Sequence, residues 1–430
     1  MKTLYPKQKE AFDFFLNKQA SGSNTLDTSH VGTGKTVVAA HLSKSLDRPV
    51  AVLCPKAVIP SWERELKETG IDPLFVLNYE KIRNGKTEWM SKRGKKIMMW
   101  NLPKDTLVLV DEVHKCKGPY TQNAQLLVSL VTQGYSVHAM SATAAEDPTE
   151  MRPLGFALGL HSLNKSTAMS KSWFSWMLYY GCMQNDWNAW ELRRKTRLSD
   201  LNKVMYSKNV KRLTVDDFPD SFKANRVFVE PVSFGSAAKI AKAYKDLGIT
   251  PEILTNLIEN GTVEDSDWVL VNLLRARQLA ESLKAKDMAE MAKDYVEQGH
   301  SVVLFVNFTD TANTLQQLLK CPAIVGGQTA ADRQQVIDDF QDDSEHVIVV
   351  NIAAGGTGIS LHDIKGNRQR ISLISPTFNV KDHLQALGRI HRNGAKSDAI
   401  QKILVASNSV EEHVMRVIEQ KSDNLNALHQ

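Results

Sequence analysis

Short apolar runs rich in β-branched residues alternate with helical patterns along the first half of the chain. A strand that is apolar on both faces must be covered on both sides, and helices between such strands favour a parallel sheet. The alternation therefore predicts an α/β unit. The predicted strands are Pro49–Cys54, Pro73–Leu77, Thr106–Val110 and Tyr135–Met140, and the predicted helices include Lys35–Leu46, Ile59–Thr69 and Asn123–Val131.

The second half of the chain repeats this plan, so we predict two α/β units that flank a mostly helical middle region, residues 159–295. One further strand is predicted there, at Ala224–Val232. The strands predicted for the second unit are Ser301–Val306, Ala323–Val325, His346–Val350, Arg370–Ile374 and Ile400–Val405. The helices predicted there are Thr309–Lys320, Thr329–Phe340, Val380–Arg392 and a terminal helix over Ser409–Leu428.

The length of 430 residues corresponds to two or three domains, at about 150 residues per domain. We divide the chain into a first lobe over residues 1–158, a helical protrusion and basic connector over 159–225, a helical region over 226–295, and a second lobe over 296–430.

Several classes of protein are disfavoured by composition. The longest apolar runs are far shorter than the ~20 residues of a membrane helix, and the first residues lack the apolar core of a signal peptide. The four cysteines stand far apart with no C-x-x-C pair, which argues against a zinc site or a disulfide framework. We therefore expect a protein of the reducing cytoplasm.

Charge is distributed unevenly along the chain. Residues 1–220 hold 31 Lys and Arg against 22 Asp and Glu, a balance of +9, whereas residues 221–430 hold 22 against 26, a balance of −4. A basic first half is compatible with a polyanionic partner, and equally with a simple need for solubility.

The segment Ser29-His30-Val31-Gly32-Thr33-Gly34-Lys35-Thr36 matches the phosphate-loop pattern G-x-x-x-x-G-K-T, with Ser at the first position. Small residues let such a loop curl and aim backbone N–H groups at phosphate oxygens, at the start of a helix. Lys35 is then expected at the β- and γ-phosphates, and the Thr36 hydroxyl on Mg²⁺. The alternative is a chance glycine turn, which is how we interpret the similar Gly85-Lys86-Thr87.

An acidic pair, Asp111-Glu112, directly follows the predicted strand Thr106–Val110 and begins the box D-E-V-H. The carboxyl end of a parallel strand is where an α/β sheet places its ligand chemistry. We expect Asp111 to support Mg²⁺ and Glu112 to position or activate a water molecule. His114 is interpreted as a residue that couples this box to its neighbours rather than as a metal ligand.

Further elements follow in order: Ser141-Ala-Thr143 after the next strand, Ala354–Leu361 after a strand of the second unit, and Gln385–Arg392, which matches Q-x-x-G-R-x-x-R on a predicted helix. This series resembles that of superfamily 2 helicases and translocases. The resemblance covers nearly the whole chain. It implies two RecA-like lobes with ATP bound in the cleft between them.

Within that superfamily the chain looks most like the Swi/Snf-type translocases of double-stranded DNA. The matching segments are Leu4–Gln8, Val52–Pro55 with Trp62 and Glu65, Met205–Arg212 with Phe218-Pro219, Gly326-Gly327 with Arg333 and Phe340, and Ser409–Glu412 with Lys421. The stretch Trp173–Leu192 is similar to the annealing-helicase and fork-remodelling branch.

This resemblance assigns further roles. It implies that Gln8 recognises adenine, and that Arg389 and Arg392 act as arginine fingers. The segment Gly355–Leu361 would connect the cleft to the nucleic acid, with Gly358 on the nucleotide and Thr357 on the nucleic acid. The cofactors implied are ATP and Mg²⁺.

The chain also departs from the Swi/Snf pattern. Ser141-Ala-Thr143 stands in place of G-T-P, Asn393-Gly394-Ala395 in place of G-Q, and Phe378-Asn379 where a tryptophan is common. No histone-reading or other accessory domain is recognised. These departures favour a minimal motor on bare DNA over a nucleosome remodeller, of the kind that occurs in bacteria and their viruses.

Two groups outside the motifs are candidates for binding DNA. The basic residues are Arg83, Lys86, Lys92, Arg93, Lys95 and Lys96, and then Arg193, Arg194, Lys195 and Arg197. Each basic group is equally well explained as a solvated face. The aromatic group, Trp173, Phe174, Trp176, Tyr179, Tyr180, Trp187 and Trp190, could stack on bases, but its spacing better suits the core of a small helical protrusion.

The leading functional hypothesis is an ATP-driven monomeric motor on duplex or forked DNA, gripping phosphates with low sequence specificity. A strand-separating helicase on DNA or RNA is the first alternative, supported by the S-A-T sequence. A non-motor, ATP-dependent clamp or switch on nucleic acid or a protein partner is the second.

Overall fold

The computed structural model describes residues 2–85, 87–93, 97–118, 120–145, 147–185, 190–219, 222–260, 266–355 and 359–429. The chain forms two compact units. Unit 1 comprises Met1–Asp217 together with Asp423–Gln430, and unit 2 comprises Phe218–Ser422.

Unit 1 is built on a six-stranded sheet whose neighbouring strands all pair in parallel. Its strands are β1 (Thr25–Asp27), β2 (Val50–Cys54), β3 (Phe75–Asn78), β6 (Leu107–Asp111), β7 (Ser136–Met140) and β10 (Val210–Lys211), and two antiparallel hairpins add β4 (Met90–Arg93) with β5 (Ile97–Trp100) and β8 (Cys182–Gln184) with β9 (Trp190–Leu192). The sheet order is β10-β1-β7-β6-β2-β3.

Alternating residues of the central strands enter two different cores. In β6, Leu107 and Leu109 belong to one apolar cluster, and Val108 and Val110 belong to the other. Because side chains alternate across a sheet, both faces are covered. The covering helices are α1 (Pro6–Ala20), α2 (Lys35–Leu46), α3 (Ile59–Thr69), α4 (Tyr79–Arg83), α5 (Gln122–Thr132), α6 (Arg152–Ala157), α7 (Trp173–Tyr179) and α8 (Leu198–Lys208).

Unit 2 contains a second six-stranded parallel sheet, in the order β11-β16-β15-β12-β14-β13. Its strands are β11 (Asn225–Val232), β12 (Ser301–Val306), β13 (Ala323–Ile324), β14 (Val347–Asn351), β15 (Arg370–Ile374) and β16 (Ala399–Ala406). Its helices are α9 (Ala237–Asp246), α10 (Pro251–Asn260), α11 (Ser266–Glu297), α12 (Thr309–Leu319), α13 (Ala330–Gln341), α14 (Ile352–Gly355) and α15 (Val380–Leu387), and α16 (Val410–His429) continues past Ser422.

The predicted fold class is confirmed: each unit is an α/β, RecA-like lobe with a parallel sheet. The four-part division of the chain stays a prediction. The predicted middle region contains more strand than expected, since the hairpin β8–β9 and strand β10 lie there and β11 pairs with β16 in the second sheet. Among the described residues, no helix is both long enough and apolar enough to cross a membrane.

The helix predicted over Val380–Arg392 is too long, because α15 ends at Leu387. Gly388, a poor helix former, is the C-cap. The Arg389 N–H then bonds to the carbonyl of Ala386, three residues back, in a tighter turn. The carbonyl of Arg389 accepts from the Leu361 N–H instead of a helical partner. The two arginines of Q-x-x-G-R-x-x-R therefore follow the helix rather than lie on it.

Candidate functional site

The phosphate loop of unit 1 runs from the end of β1 to the start of α2. Gly32 and Gly34 adopt φ values of 85° and 93°, which L-residues rarely adopt. A Cβ atom on Gly34 would also lie 2.3 Å from Nε2 of Gln8. Backbone shape therefore favours glycine at both positions, and close packing favours it at Gly34. The phosphate-loop assignment and the alternative of a chance glycine turn both stay predictions.

Lys35 is the first residue of α2, and its side chain folds back over the loop. Its Nζ donates to the carbonyl oxygens of Ser29 at 2.7 Å and His30 at 3.1 Å. Thr36 follows in the first turn of the same helix. The lysine and the threonine hydroxyl are thus placed together at a helix N-terminus, where an anion is favoured.

The first N–H groups of the loop are already bonded within the protein. The Ser29 N–H donates to Oδ1 of Asp27 at 2.8 Å, and the His30 N–H donates to the carbonyl of Leu213 at 2.9 Å. The candidate phosphate donors therefore lie in the later part of the loop, Val31–Thr36, where the Thr33 N–H also donates to the carbonyl of His30 at 3.4 Å.

Gln8 is 3% exposed and joins α1 to the phosphate loop. Its Nε2 donates to the carbonyl of Thr33 at 2.8 Å, and its Oε1 accepts from the Tyr5 N–H at 3.0 Å. The structure therefore brings Gln8 to the loop. Its recognition of adenine stays a prediction.

Asp111 is the last residue of β6, and its carboxylate is held from two sides. Oδ2 accepts from Nε1 of Trp62 at 2.8 Å, and Oδ1 accepts from the Glu112 N–H at 2.9 Å. The Tyr79 hydroxyl donates to the main-chain carbonyl of Asp111 at 2.5 Å. Burial, followed by the charge of Glu112, raises the pKa of Asp111 to about 7.

Glu112 has a left-handed φ of 52°. Such a conformation costs on the order of 1–3 kcal/mol in a non-glycine residue and is often found at functional sites. Its Oε2 lies 3.3 Å from the hydroxyl of Ser141 and 3.1 Å from Nδ1 of His114, and those two partners are 3.0 Å apart. The D-E-V-H box and the S-A-T sequence therefore meet through Glu112, Ser141 and His114, in line with the expected coupling role of His114.

Arg389 and Arg392 belong to unit 2. The Arg389 side chain is buried, with Nη1 donating to the carbonyl of Ile359 at 3.3 Å, and Nε of Arg392 donates to the carbonyl of Gly388 at 3.1 Å. Burial, and then the charge of Arg389, lower the pKa of Arg392 to about 9. Two neighbouring positive charges favour an anion nearby. The role of Arg389 and Arg392 as arginine fingers stays a prediction.

The candidate nucleic-acid residues remain untested. The Nε of Arg193 donates to Glu191 at 2.5 Å, and Arg194 is exposed. Arg83 donates to Asn123, and Lys92 is exposed. Outside the described residues or side chains lie Thr357, Gly358, Lys86, Arg93, Lys95, Lys96, Trp187 and the side chain of Lys195.

The predicted aromatic group serves mainly as core. Trp173, Trp176 and Tyr180 are buried in an apolar cluster of unit 1, whereas Tyr179 is 58% exposed. Within the described part of the chain, no group of three or more His, Cys, Asp or Glu side chains is arranged to hold a metal ion.

Several residues of the site had no assigned role in the sequence reasoning. Trp62 was recognised only as part of a motif, although it holds Asp111. Tyr79 and Arg212 contact Asp111 and His30, respectively, from distant points of the chain. The sequence does not show which distant residue an indole, a hydroxyl or a guanidinium will bond to. These contacts can be seen only in the folded structure.

Comparison with known proteins identifies the family. A model described as the helicase conserved C-terminal domain matches residues 284–394. A putative ATP-dependent RNA helicase of Acanthamoeba polyphaga mimivirus is 31% identical over 99% of this chain and 83% of its own length. A CHD3-type chromatin-remodeling factor of Arabidopsis thaliana is 22% identical over 97% of this chain and 37% of its own length.

Among solved structures, the Sulfolobus solfataricus SWI2/SNF2 ATPase core in complex with dsDNA is similar to this chain. It is 16% identical, the match covers 94% of this chain and 88% of that chain, and the TM-score is 0.38. The mimivirus relative and the order of the motifs agree with the site built on the phosphate loop and the D-E-V-H box. The chain belongs to the superfamily 2 helicases and translocases, in their Swi/Snf-type group, and is an ATP-hydrolysing enzyme.

Proposed function

We propose that this chain is an ATP-dependent motor that translocates on double-stranded or branched DNA in the cytoplasm and couples hydrolysis to DNA remodelling. The observation that carries the proposal is the similarity to the chromatin-remodeling factor, which spans 97% of this chain and only 37% of that protein. The match spans both lobes of this chain, so these lobes would form the motor that the two proteins share.

The nucleotide site of unit 1 has the chemistry that ATP and Mg²⁺ need. The later N–H groups of the phosphate loop and Lys35 would hold the phosphates, and Gln8 would face the adenine. The hydroxyl of Thr36 and the carboxylate of Asp111 offer hard oxygen ligands, which Mg²⁺ prefers. Bound ATP would supply the phosphoanhydride bond that is cleaved.

Glu112 would position or activate the attacking water. Its carboxylate is aimed by the left-handed backbone and by Ser141 and His114. Arg389 and Arg392 would act as arginine fingers, because a cation at the γ-phosphate stabilises charge that develops in the transition state. Such an effect amounts to about 10³–10⁵ in rate in well-studied systems.

The nucleic acid would be held mainly through its phosphates. Low sequence specificity and an affinity that falls with salt follow from such contacts. The candidate contacts are Thr357 and the basic residues Arg193, Arg194 and Lys195.

A strand-separating helicase is the alternative with a specific observation in its favour. The mimivirus relative, which matches over 83% of its own length, is named a putative RNA helicase. Ser141-Ala-Thr143 is also closer to general helicases than to the Swi/Snf pattern. A non-motor clamp is a third possibility that the same experiment addresses.

The test measures ATP hydrolysis with single-stranded, duplex and forked DNA and with RNA, alongside unwinding of tailed duplexes and displacement of the third strand of a triplex. We expect duplex DNA to stimulate hydrolysis most, with triplex displacement and without unwinding. Unwinding of a tailed duplex, or stimulation by RNA alone, would support a helicase instead. ATP hydrolysis that no nucleic acid stimulates would rule out both the translocase and the strand-separating helicase.

A matched variant tests the site assignment in the same assay. Glu112→Gln keeps the shape of the side chain but removes its negative charge and its capacity as a base. We expect nucleotide binding to persist while turnover falls about 10²–10⁴-fold, the usual contribution of such a group. A variant that hydrolyses ATP at the wild-type rate would show that Glu112 does not act on the water.

A further inference from the structure

The segment by which the chain leaves unit 1 is bonded to the start of the phosphate loop. Strand β10 pairs with β1, and the ladder continues beyond both strands: the Thr28 N–H donates to the carbonyl of Lys211, and the His30 N–H to that of Leu213, each at 2.9 Å. Four residues after Leu213 the chain passes from unit 1 into unit 2, between Asp217 and Phe218.

Side chains reinforce this pairing at Thr28, Ser29 and His30. The hydroxyl of Thr28 lies 2.6 Å from the hydroxyl of Tyr206, a residue of α8. The hydroxyl of Ser29 accepts from the Leu213 N–H at 2.9 Å. A glycine at position 29, the usual residue of the pattern, could not accept this bond.

The third contact joins Arg212 to His30. Nη2 of Arg212 donates to Nε2 of His30 across 2.6 Å. Burial, and then the charges of Arg212 and Lys35, lower the pKa of His30 to about 4, so its imidazole is neutral at pH 7 and its Nε2 can accept. The bond therefore has a definite direction, from guanidinium to imidazole.

These contacts also affect the orientation of the Lys35 side chain. Lys35 donates to the carbonyls of Ser29 and His30, the same two residues that Leu213 and Arg212 hold. A shift of Ser29 and His30 would therefore displace the acceptors that orient Lys35. Neither Tyr206 nor Arg212 needs to touch a nucleotide to have this effect.

We propose that Tyr206 and Arg212 are positioning residues of the phosphate loop, and that through them the segment leading to unit 2 sets the affinity of the site for nucleotide. The proposal rests on the nucleotide site assigned above but not on the choice of DNA as the track. A displacement of this segment would change the conformation of the phosphate loop. Nucleotide binding to the loop would in turn shift the segment.

The test removes one hydrogen-bonding group at a time and measures binding of a fluorescent ATP analogue without any nucleic acid, together with KM and kcat. Tyr206→Phe deletes only the hydroxyl, and Arg212→Met deletes the donor while keeping much of the apolar stem. We expect each to weaken nucleotide binding about 2- to 12-fold, the equivalent of one hydrogen bond. KM should rise in proportion, with kcat within about twofold.

Three controls separate positioning from folding. Tyr135→Phe removes another buried hydroxyl of unit 1, bonded to the carbonyl of Leu102 at 3.0 Å, and should leave nucleotide affinity unchanged. Thr28→Val combined with Tyr206→Phe should cost less than the sum of the two single changes, because both remove the bond between Thr28 and Tyr206. Arg212→Gln, which keeps a donor, should recover part of the affinity lost in Arg212→Met.

The result that overturns the inference is wild-type nucleotide affinity in Tyr206→Phe and Arg212→Met, or a loss no larger than in Tyr135→Phe. Lys35→Ala serves as the reference for the site. If Lys35→Ala binds nucleotide as the wild type does, the site assignment fails and the inference fails with it. If Lys35→Ala is weakened and Tyr206→Phe is not, only the inference fails.

Discussion

Asp111, the candidate magnesium ligand, has one carboxylate oxygen fixed by an indole, because Nε1 of Trp62 donates to its Oδ2 at 2.8 Å. Trp62→Phe keeps most of the buried ring but removes this donor. Hydrogen bonds to charged groups contribute about 1.5–3 kcal/mol. We therefore expect the Mg²⁺ concentration for half-maximal ATP hydrolysis to rise about tenfold or more, as measured by titrating Mg²⁺ at saturating ATP.

Trp100→Phe is the matched control for that experiment. Trp100 is also buried in unit 1, and its indole donates to the hydroxyl of Ser129 at the same distance, 2.8 Å. This variant should lose a similar hydrogen bond and keep the Mg²⁺ dependence of the wild type. An equal shift in both variants would show that Trp62 acts only through the stability of unit 1.

At the scale of residues, the sequence predicted the members of the site better than their contacts. Asp111 ends strand β6 and Ser141 follows its parallel neighbour β7, so their proximity could be foreseen. The bond of Trp62 to Asp111 and that of Tyr206 to Thr28 join residues 49 and 178 positions apart. Such pairs depend on how helices dock on the sheet, which no local pattern encodes.

At the scale of elements, most of the longer buried strands were predicted to within two residues, whereas the three-residue strand β1 was missed. Ser301–Val306 and Arg370–Ile374 are confirmed with their predicted bounds, because apolar runs covered on both faces stand out from their surroundings. The hairpin β8–β9 was missed because its strands have only three residues each. The end of α15 was misplaced because a tertiary bond to Leu361 ends the helix.

A buried ion pair joins two helices of unit 2 and allows a prediction for unfolding. Lys284 of α11 donates to both carboxylate oxygens of Glu411, the second residue of α16, at 2.9 Å, and their side chains are 1% and 4% exposed. Lys284→Met leaves an uncompensated buried charge. We expect unit 2 to lose about 3–5 kcal/mol of its free energy of unfolding, measured by hydrogen exchange of β12 amides.

The double variant Lys284→Met, Glu411→Gln is the informative partner of that experiment. It removes both charges and should recover a large part of the loss, because a neutral pair escapes most of the desolvation penalty. Lys9→Ala, which breaks an exposed ion pair with Asp13 on α1, should change stability by less than about 1 kcal/mol. A double variant as unstable as Lys284→Met would show that packing, not charge, explains the loss.

At the scale of the whole molecule, buried histidines in both units make stability depend on acidity. Burial lowers the pKa of five histidines to about 3 or 4: His30, His138 and His161 in unit 1, and His362 and His383 in unit 2. Between pH ~6.5 and ~4, such histidines bind a proton when unfolded and not when folded. Their contribution is therefore complete above pH ~6.5 and is lost as the pH falls through this window.

His138 isolates one of these contributions, because burial alone lowers its pKa, to about 3. His138→Gln replaces it with a side chain that does not titrate. Seven of the eight tryptophans lie in unit 1, so tryptophan fluorescence during urea unfolding reports mainly on that unit. The free energy of unfolding should fall less steeply in the variant than in the wild type between pH 6 and 4.5, by about 1.4 kcal/mol per pH unit.

The comparison uses slopes rather than absolute values, because the variant loses the packing against Phe15 and the bond to Thr25 and is therefore destabilised at every pH. Equal slopes would mean that His138 takes up its proton in the folded chain.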